Sequence, residues 1–261
     1  QAETGSIPVS GSGYGGPFSG PGFDSMWTDM SEIVRPTRDG IHGREYISTS
    51  VDIGRKLMIL PFAEGALTVT PPPLMEIPVP VIFEWVPQRF RRGNVVQCVA
   101  KAAAEIGTLF IVDGHSTPAG ISLEEGHVLP LFTPEDIGKV QTTAGMVMLP
   151  DSENVMALQA RIKGEHPSRL VAIRLEVTPD SAQDVCRLTR AGAEVIELVF
   201  DPHGREHAPQ GARHMRDALR GIHKALVKDG TRDLVTLIAS GGIAQAEHVA
   251  KAIICGADLV A

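Results

Sequence analysis

The sequence predicts an α/β fold, a (β/α)8 TIM barrel preceded by an irregular Gly/Pro-rich N-terminal segment. Three observations predict it. Eight short apolar runs, rich in β-branched residues, recur from residue 81 onward. They are continuous rather than alternating, as strands covered on both faces are. Most stretches between them repeat apolar residues at intervals of three and four, the helical period. Strand–helix alternation carried through about eight strands closes into a barrel, although a doubly wound open sheet is an alternative reading of the same alternation.

The elements follow in chain order. Residues 1–31, including "TGSIPVSGSGYGGPFSGPGFDSM", are rich in Gly, Ser and Pro and predict an extended arm. Residues 32–56 are polar and turn-rich, with charges at Arg35, Arg38, Asp39, Arg44 and Glu45. "TPPPLMEIPVP" at 70–80 predicts a stiff connector. Residues 1–80 are therefore expected as an arm and connector packing on a barrel at 81–261. The strands are expected at 81–86, 109–114, 127–132, 145–150, 170–177, 195–200, 234–242 and 257–261. Helices are expected at 95–107, 152–162, 178–193, 212–230 and 244–254, two of them stopping near Gly. The weakest part of the pattern is the short gap between 132 and 145. The last run stops at residue 261, so the expectation is a barrel cut short at strand 8.

Composition removes several classes of function. The chain of 261 residues carries a formal net charge of -7 with scattered Lys and Arg, which argues against a nucleic-acid footprint. No apolar run reaches the roughly 18 residues of a membrane span, and no signal-peptide pattern opens the chain. Cys98, Cys186 and Cys255 lack CxxC spacing and sit among apolar neighbours at helical spacing. They predict reduced, core-packed thiols in a cytoplasmic protein. No local cluster has metal-ligand spacing, and no metal is expected.

"IASGGIAQAEHVAKAI" at 238–253 carries the clearest chemical signal. Its glycines close a strand and a helix follows. Gly241 and Gly242 lack Cβ atoms and allow a close backbone approach, while the helix aims free N–H groups and its positive end at the same place. This predicts a phosphate site, with a packing turn as the plain alternative. In barrels such a site forms from the loops after strands 7 and 8, and the second of these would lie beyond residue 261.

Other polar residues fall at or just past strand ends, where barrel sites collect. They are Glu84, Asp113, His115, Glu176, Asp201, His203 and Arg205. Asp201 with His203 is the most suggestive pair, because a carboxylate beside an imidazole tunes a group that titrates near neutrality. Loop capping by Asp201 is the alternative. His203 and His207 lie four apart, but on a loop, and predict no metal site.

"RPTRDGIHGREYISTSVDIGRK" at 35–56, "LIASGGIAQAEHVAKAIICGADLVA" at 237–261 and the strand order between them resemble the FMN-binding glutamate synthase family, in particular its stand-alone synthase-domain members. The resemblance runs from about residue 32 to the end. It implies a TIM barrel with FMN at the C-terminal mouth. It also implies an oxidoreductase, in which FMN reduces 2-iminoglutarate formed from 2-oxoglutarate and ammonia. The phosphate would sit on Ser240, Gly241, Gly242 and Ile243. Arg174 stands where the family has a strand-borne Lys, a cation for negative charge on the flavin. Asp113 and Gly114 open a loop where the family contacts flavin. "DPHGREH" at 201–207 stands where the family is Gly-rich, which makes Asp201 and His203 catalytic candidates beside Arg174.

Departures accompany the resemblance. The family's Gly-Gly-Thr-Gly becomes His203, Gly204, Arg205 and Glu206. Arg174 cannot act as a base at neutral pH. Neither the three-cysteine cluster expected after strand 8 nor a nucleophilic N-terminal Cys is present, so any iron–sulfur cluster would belong outside this segment. These departures bear on 2-oxoglutarate chemistry more than on FMN.

The expected partners are a small-molecule substrate and an electron donor such as ferredoxin or an iron–sulfur subunit. No nucleic acid or membrane partner is expected, and a homo-oligomer is left open. No GxGxxG fingerprint follows a strand, which disfavours NAD(P)H oxidation by this chain. Two rival readings stay open. One is a non-flavin phosphate-binding barrel, for which no cysteine is suitably placed as a nucleophile. The other is a structural barrel that has lost its cofactor.

Overall fold

The computed structural model describes residues 22–26, 49–91, 94–115, 121–122, 126–133, 135 and 143–261. The expected arm lies outside them except for a 3-10 turn at Gly22–Ser25. Most of the family-like segment 35–56 lies outside them as well. Residues 49–261 form one compact unit.

This unit begins with a hairpin that the sequence did not predict. Strand β1 (Val51–Gly54) pairs antiparallel with β4 (Leu74–Ile77). Between them β2 (Phe62–Ala63) and β3 (Ala66–Leu67) form a smaller hairpin. The polar stretch 32–56 and the Pro-rich stretch 70–80 therefore each carry a strand. The reason is local: "LMEI" contains no Pro, so its ladder donors are intact between the flanking prolines. Ile53 and Ile77 are fully buried and join the core of the main sheet. Gly54 is anchored to that sheet through Thr236 Oγ1, which accepts from Gly54 N at 3.0 Å and donates to Gly54 O at 2.9 Å.

The remaining elements are α1 (Val95–Ile106), β5 (Phe110–Asp113), β6 (Val128–Leu131), β7 (Met146–Pro150), α2 (Val155–Glu165) and β8 (Leu170–Glu176). They continue with α3 (Ser181–Ala191), β9 (Val195–Val199), α4 (Met215–Asp229), β10 (Thr236–Ser240), α5 (Ala246–Cys255) and β11 (Leu259–Val260). Strands β5 to β11 form one curled, parallel, seven-stranded sheet in sequential order. Each corresponds to an expected run. The first expected run, 81–86, forms no named strand. It makes single parallel bridges to both edges of the sheet, Val81 to Val260 and Phe83 to Phe110. Ile82 N donates to Val260 O at 2.8 Å, and Phe83 N donates to Leu109 O at 2.8 Å.

All five expected helices are present, and α3 and α4 stop at Gly192 and Gly230 as their sequences suggest. Helix α1 buries Val96, Ala100 and Ala103 against Phe110, Val112 and Val128. That face excludes Cys98, which is exposed, so the expectation of a core thiol there is corrected. The position two residues after Val96 points away from the buried stripe. Cys186 and Cys255 are buried, and burial pushes both thiols up. Among the described residues no helix is long and apolar enough to cross a membrane.

The inner core fixes which strand residues point inward. Ile82, Leu109, Ile111, Ala172, Val195 and Ile238 all belong to it. Side chains alternate along a strand. Two residues further toward the C-terminal ends, the same inward positions are Glu84, Asp113, Arg174, Glu197 and Ser240.

Candidate active site

Three of those five residues meet in one cluster. Arg174 Nη1 donates to Glu197 Oε2 at 2.7 Å and Oε1 at 2.9 Å, and to Glu84 Oε1 at 3.1 Å. Strand register accounts for the first pairing, because Arg174 and Glu197 are direct partners on β8 and β9. The side chain of Glu197 is 0% exposed, that of Arg174 21% and that of Glu84 30%. The cluster therefore runs from the sheet interior outward. Burial, followed by the neighbouring Glu84, pushes the Glu197 carboxyl up to about 8 against the opposing pull of Arg174. Burial draws the Arg174 pKa down, but Glu197 and Glu84 outweigh it and hold it above its ordinary value. On β10, Ser240 lies close enough to draw the Glu197 pKa down. Its hydroxyl is buried and makes no hydrogen bond of ordinary geometry.

The loop after β9 holds Asp201 and His203. Asp201 Oδ1 accepts from His203 N at 2.9 Å and from Arg205 N at 2.7 Å. Asp201 thus caps a tight loop, and it reaches His203 through the backbone rather than through the imidazole. His203 is exposed. Further along, the buried Glu206 accepts from Arg213 Nε at 2.9 Å and from Arg213 N at 3.1 Å, which staples the loop closed. His214 then caps α4, its Nδ1 accepting from Arg216 N at 3.1 Å. Burial, then Arg216, hold the His214 pKa below its ordinary value.

The Gly-Gly turn packs directly on this loop. Gly241 and Gly242 have φ of 92° and 71°, in the left-handed region. A Cβ on Gly241 would meet Phe200 O at 2.3 Å, and one on Gly242 would meet Gly204 N at 2.4 Å. The glycines therefore bring two loops together. Among the described residues, the amides of Gly241, Gly242 and Ile243 find no acceptor. Helix α5 follows, and its N-cap Gln245 makes no side-chain capping bond.

Asp113 and Gly114 end β5 separately from the cluster. Asp113 Oδ1 accepts from His115 N at 3.0 Å, and Oδ2 lies 3.9 Å from Arg91 Nη1. Arg91 stacks over Trp85 at 4.7 Å. Gly114 lies against the Phe132 ring, which a Cβ would meet at 2.5 Å. Glu176 is exposed at the end of β8.

The structure thus joins Arg174 to Glu84 and Glu197, and through Glu197 to Ser240. Asp201 and His203 remain together on their own loop, which touches Gly241 and Gly242. Glu197 is the residue that sequence reasoning missed. Its signal was a lone carboxylate inside the apolar run "VIELVF".

A parallel sheet with polar groups gathered toward its C-terminal strand ends defines the class: an α/β protein whose polar side chains collect where strands give way to loops. A family model described as a conserved region in glutamate synthase matches residues 212–261, from the start of α4 through β11. Over its whole length the chain is 24% identical to an archaeal-type glutamate synthase [NADPH] of Thermotoga neapolitana. It is 23% identical to an archaeal glutamate synthase [NADPH] of Archaeoglobus fulgidus. In both cases the chain spans 62% of the relative's length. By these matches the chain is similar to glutamate synthases, over a conserved region at 212–261 and at low identity along its length.

Proposed function

We propose that the chain is the FMN-dependent part of a glutamate synthase-like oxidoreductase, working at the mouth of a (β/α)8 barrel. The barrel reading rests on the segment 80–83, which hydrogen-bonds to both edges of the seven-stranded sheet. The cofactor reading rests on the Gly-Gly turn. Three neighbouring amides without acceptors among the described residues and the start of α5 fit the phosphate of FMN. Ser240, Gly241, Gly242 and Ile243 would hold that phosphate. Asp113 and Gly114 would flank the ring system from β5.

Bound there, FMN would supply the two-electron reduction that glutamate formation from 2-oxoglutarate and ammonia requires. The chain's own residues bind, orient and hold protons. Arg174 presents a fixed positive charge. The buried Glu197 carboxyl beneath it keeps a proton up to about pH 8. Asp201 shapes the loop that carries His203, whose exposed imidazole is available for proton exchange with a ligand at the mouth. The electron donor would be a separate protein or domain, such as ferredoxin or an iron–sulfur subunit, and the setting the cytoplasm.

A second reading, a structural barrel without cofactor, draws on one observation. The spaces beside Gly241 and Gly242 are filled by the loop at 200–204 rather than left open. The test is an activity assay. Protein loaded with FMN is given 2-oxoglutarate, ammonium and a chemical reductant, and glutamate is measured. Glutamate formation that falls at least tenfold in Arg174→Met supports the first reading. Flavin-loaded protein that forms none removes the glutamate synthase reaction.

A further inference from the structure

We propose that the buried cluster is a receptor for a ligand carboxylate, in which Glu84 and Glu197 are positioning residues that hold Arg174 by one atom and leave its other edge free. The inference rests on the reading of the barrel mouth as a ligand site. Every contact that Arg174 makes to the two carboxyls runs through Nη1. Among the described residues neither Nε nor Nη2 makes one. That edge is the planar fork that matches two carboxylate oxygens. The Arg174 side chain is 21% exposed while that of Glu197 is 0% exposed, so Arg174 reaches solvent where Glu197 does not.

Charge decides when such a receptor works. Two ionised carboxyls around one guanidinium leave a surplus negative charge, which burial opposes and which would repel a third carboxylate. One proton on the pair makes the cluster neutral and leaves the fork attractive. The groups that face Glu197 are Arg174 from β8, Glu84 from the segment 81–86 and Ser240 from β10. Burial and Glu84 keep the Glu197 proton in place until about pH 8. Carboxylate binding is therefore expected to be tight below that point and to weaken above it. The two carboxyls act through Arg174 and do not themselves touch the ligand.

The test is calorimetric binding of 2-oxoglutarate and of succinate, from pH 6 to pH 9.5, with and without added FMN. Flavin uptake is scored separately by absorbance, so loss of the flavin reading is told apart from loss of the receptor. The wild-type protein is expected to bind at least one of the two acids, with affinity falling toward tenfold per pH unit above about pH 8. Glu197→Gln should flatten that profile. Arg174→Lys should lose at least tenfold because it has no fork. The proposal is overturned if neither acid binds, if Glu197→Gln keeps the wild-type slope, or if Arg174→Lys binds as wild type. Should Glu197→Gln not fold, the wild-type profile and Arg174→Lys decide the matter.

Discussion

Arg174 and Glu197 face each other on neighbouring parallel strands, and one guanidinium nitrogen lies 2.7 and 2.9 Å from the two oxygens of a carboxyl that no solvent reaches. Removing Arg174 takes a hydrogen-bond partner from the buried, proton-holding Glu197 carboxyl, and a buried polar group left short of a partner costs about 1–3 kcal/mol. Arg174→Met should therefore destabilise the protein by that order in urea unfolding. Replacing both, as Arg174→Met with Glu197→Leu, should cost less than the single change, because no buried polar group is left without a partner.

Stability should fall as pH rises across the neutral range. The folded pKa of Glu197 lies near 8, above the ordinary carboxyl value, so the folded state holds a proton that the unfolded chain has released. The stabilisation is complete below the unfolded pKa and is lost as pH climbs through the folded one. One such group contributes a slope of about 1 kcal/mol per pH unit inside that window. Unfolding midpoints between pH 5 and pH 9 should show the decline, and Glu197→Gln should reduce it.

Gly242→Ala should be harmful for two separate reasons. Its φ of 71° is costly for a residue with a Cβ, and that Cβ would stand 2.4 Å from Gly204 N. The backbone it meets has no flexible end to move aside. A loss of about 2 kcal/mol or more is expected in thermal or urea unfolding. Gly65→Ala serves as the control, because it has a similar φ of 81° but meets nothing within 4 Å. The control should cost clearly less.

Arg213→Ala should open the loop after β9. Glu206 is buried, and Arg213 binds its carboxylate with both the backbone and the guanidinium. Leaving that carboxylate short of partners costs about 1–3 kcal/mol. The readout is limited proteolysis, with faster cleavage expected between residues 201 and 214 while the strands stay protected.

Much of the fold was legible because strands covered on both faces write continuous apolar runs, and the seven runs from "LFIVDG" to "ADLVA" became β5 to β11. The β1–β4 hairpin was not legible. "VDIG" and "LMEI" are four residues each, framed by charges and prolines, and their Ile53 and Ile77 owe their burial to the distant sheet rather than to a local pattern. Cys98 was misread because its apolar neighbours lie on the opposite face of α1. Within the site, Arg174 and the Gly-Gly turn stood out by residue type and position. Glu197 did not, because its role depends on register with Arg174 across two strands, which spacing along the chain does not record. Asp201 and His203 were read as a carboxylate–imidazole pair, but the carboxylate meets backbone amides, a contact that residue types alone do not distinguish from a side-chain pair.

The central claim is that the turn at Ser240–Ile243 holds the phosphate of FMN, and the most direct measurement is flavin retention. The full-length protein is purified without added cofactor, its visible spectrum is recorded, and any released cofactor is identified. The account predicts flavin absorption with FMN recovered, or stoichiometric uptake of added FMN, and loss of both in Gly242→Ala under conditions where that variant remains folded. A colourless wild-type protein that takes up no FMN would contradict it and leave the sheet without its proposed cofactor.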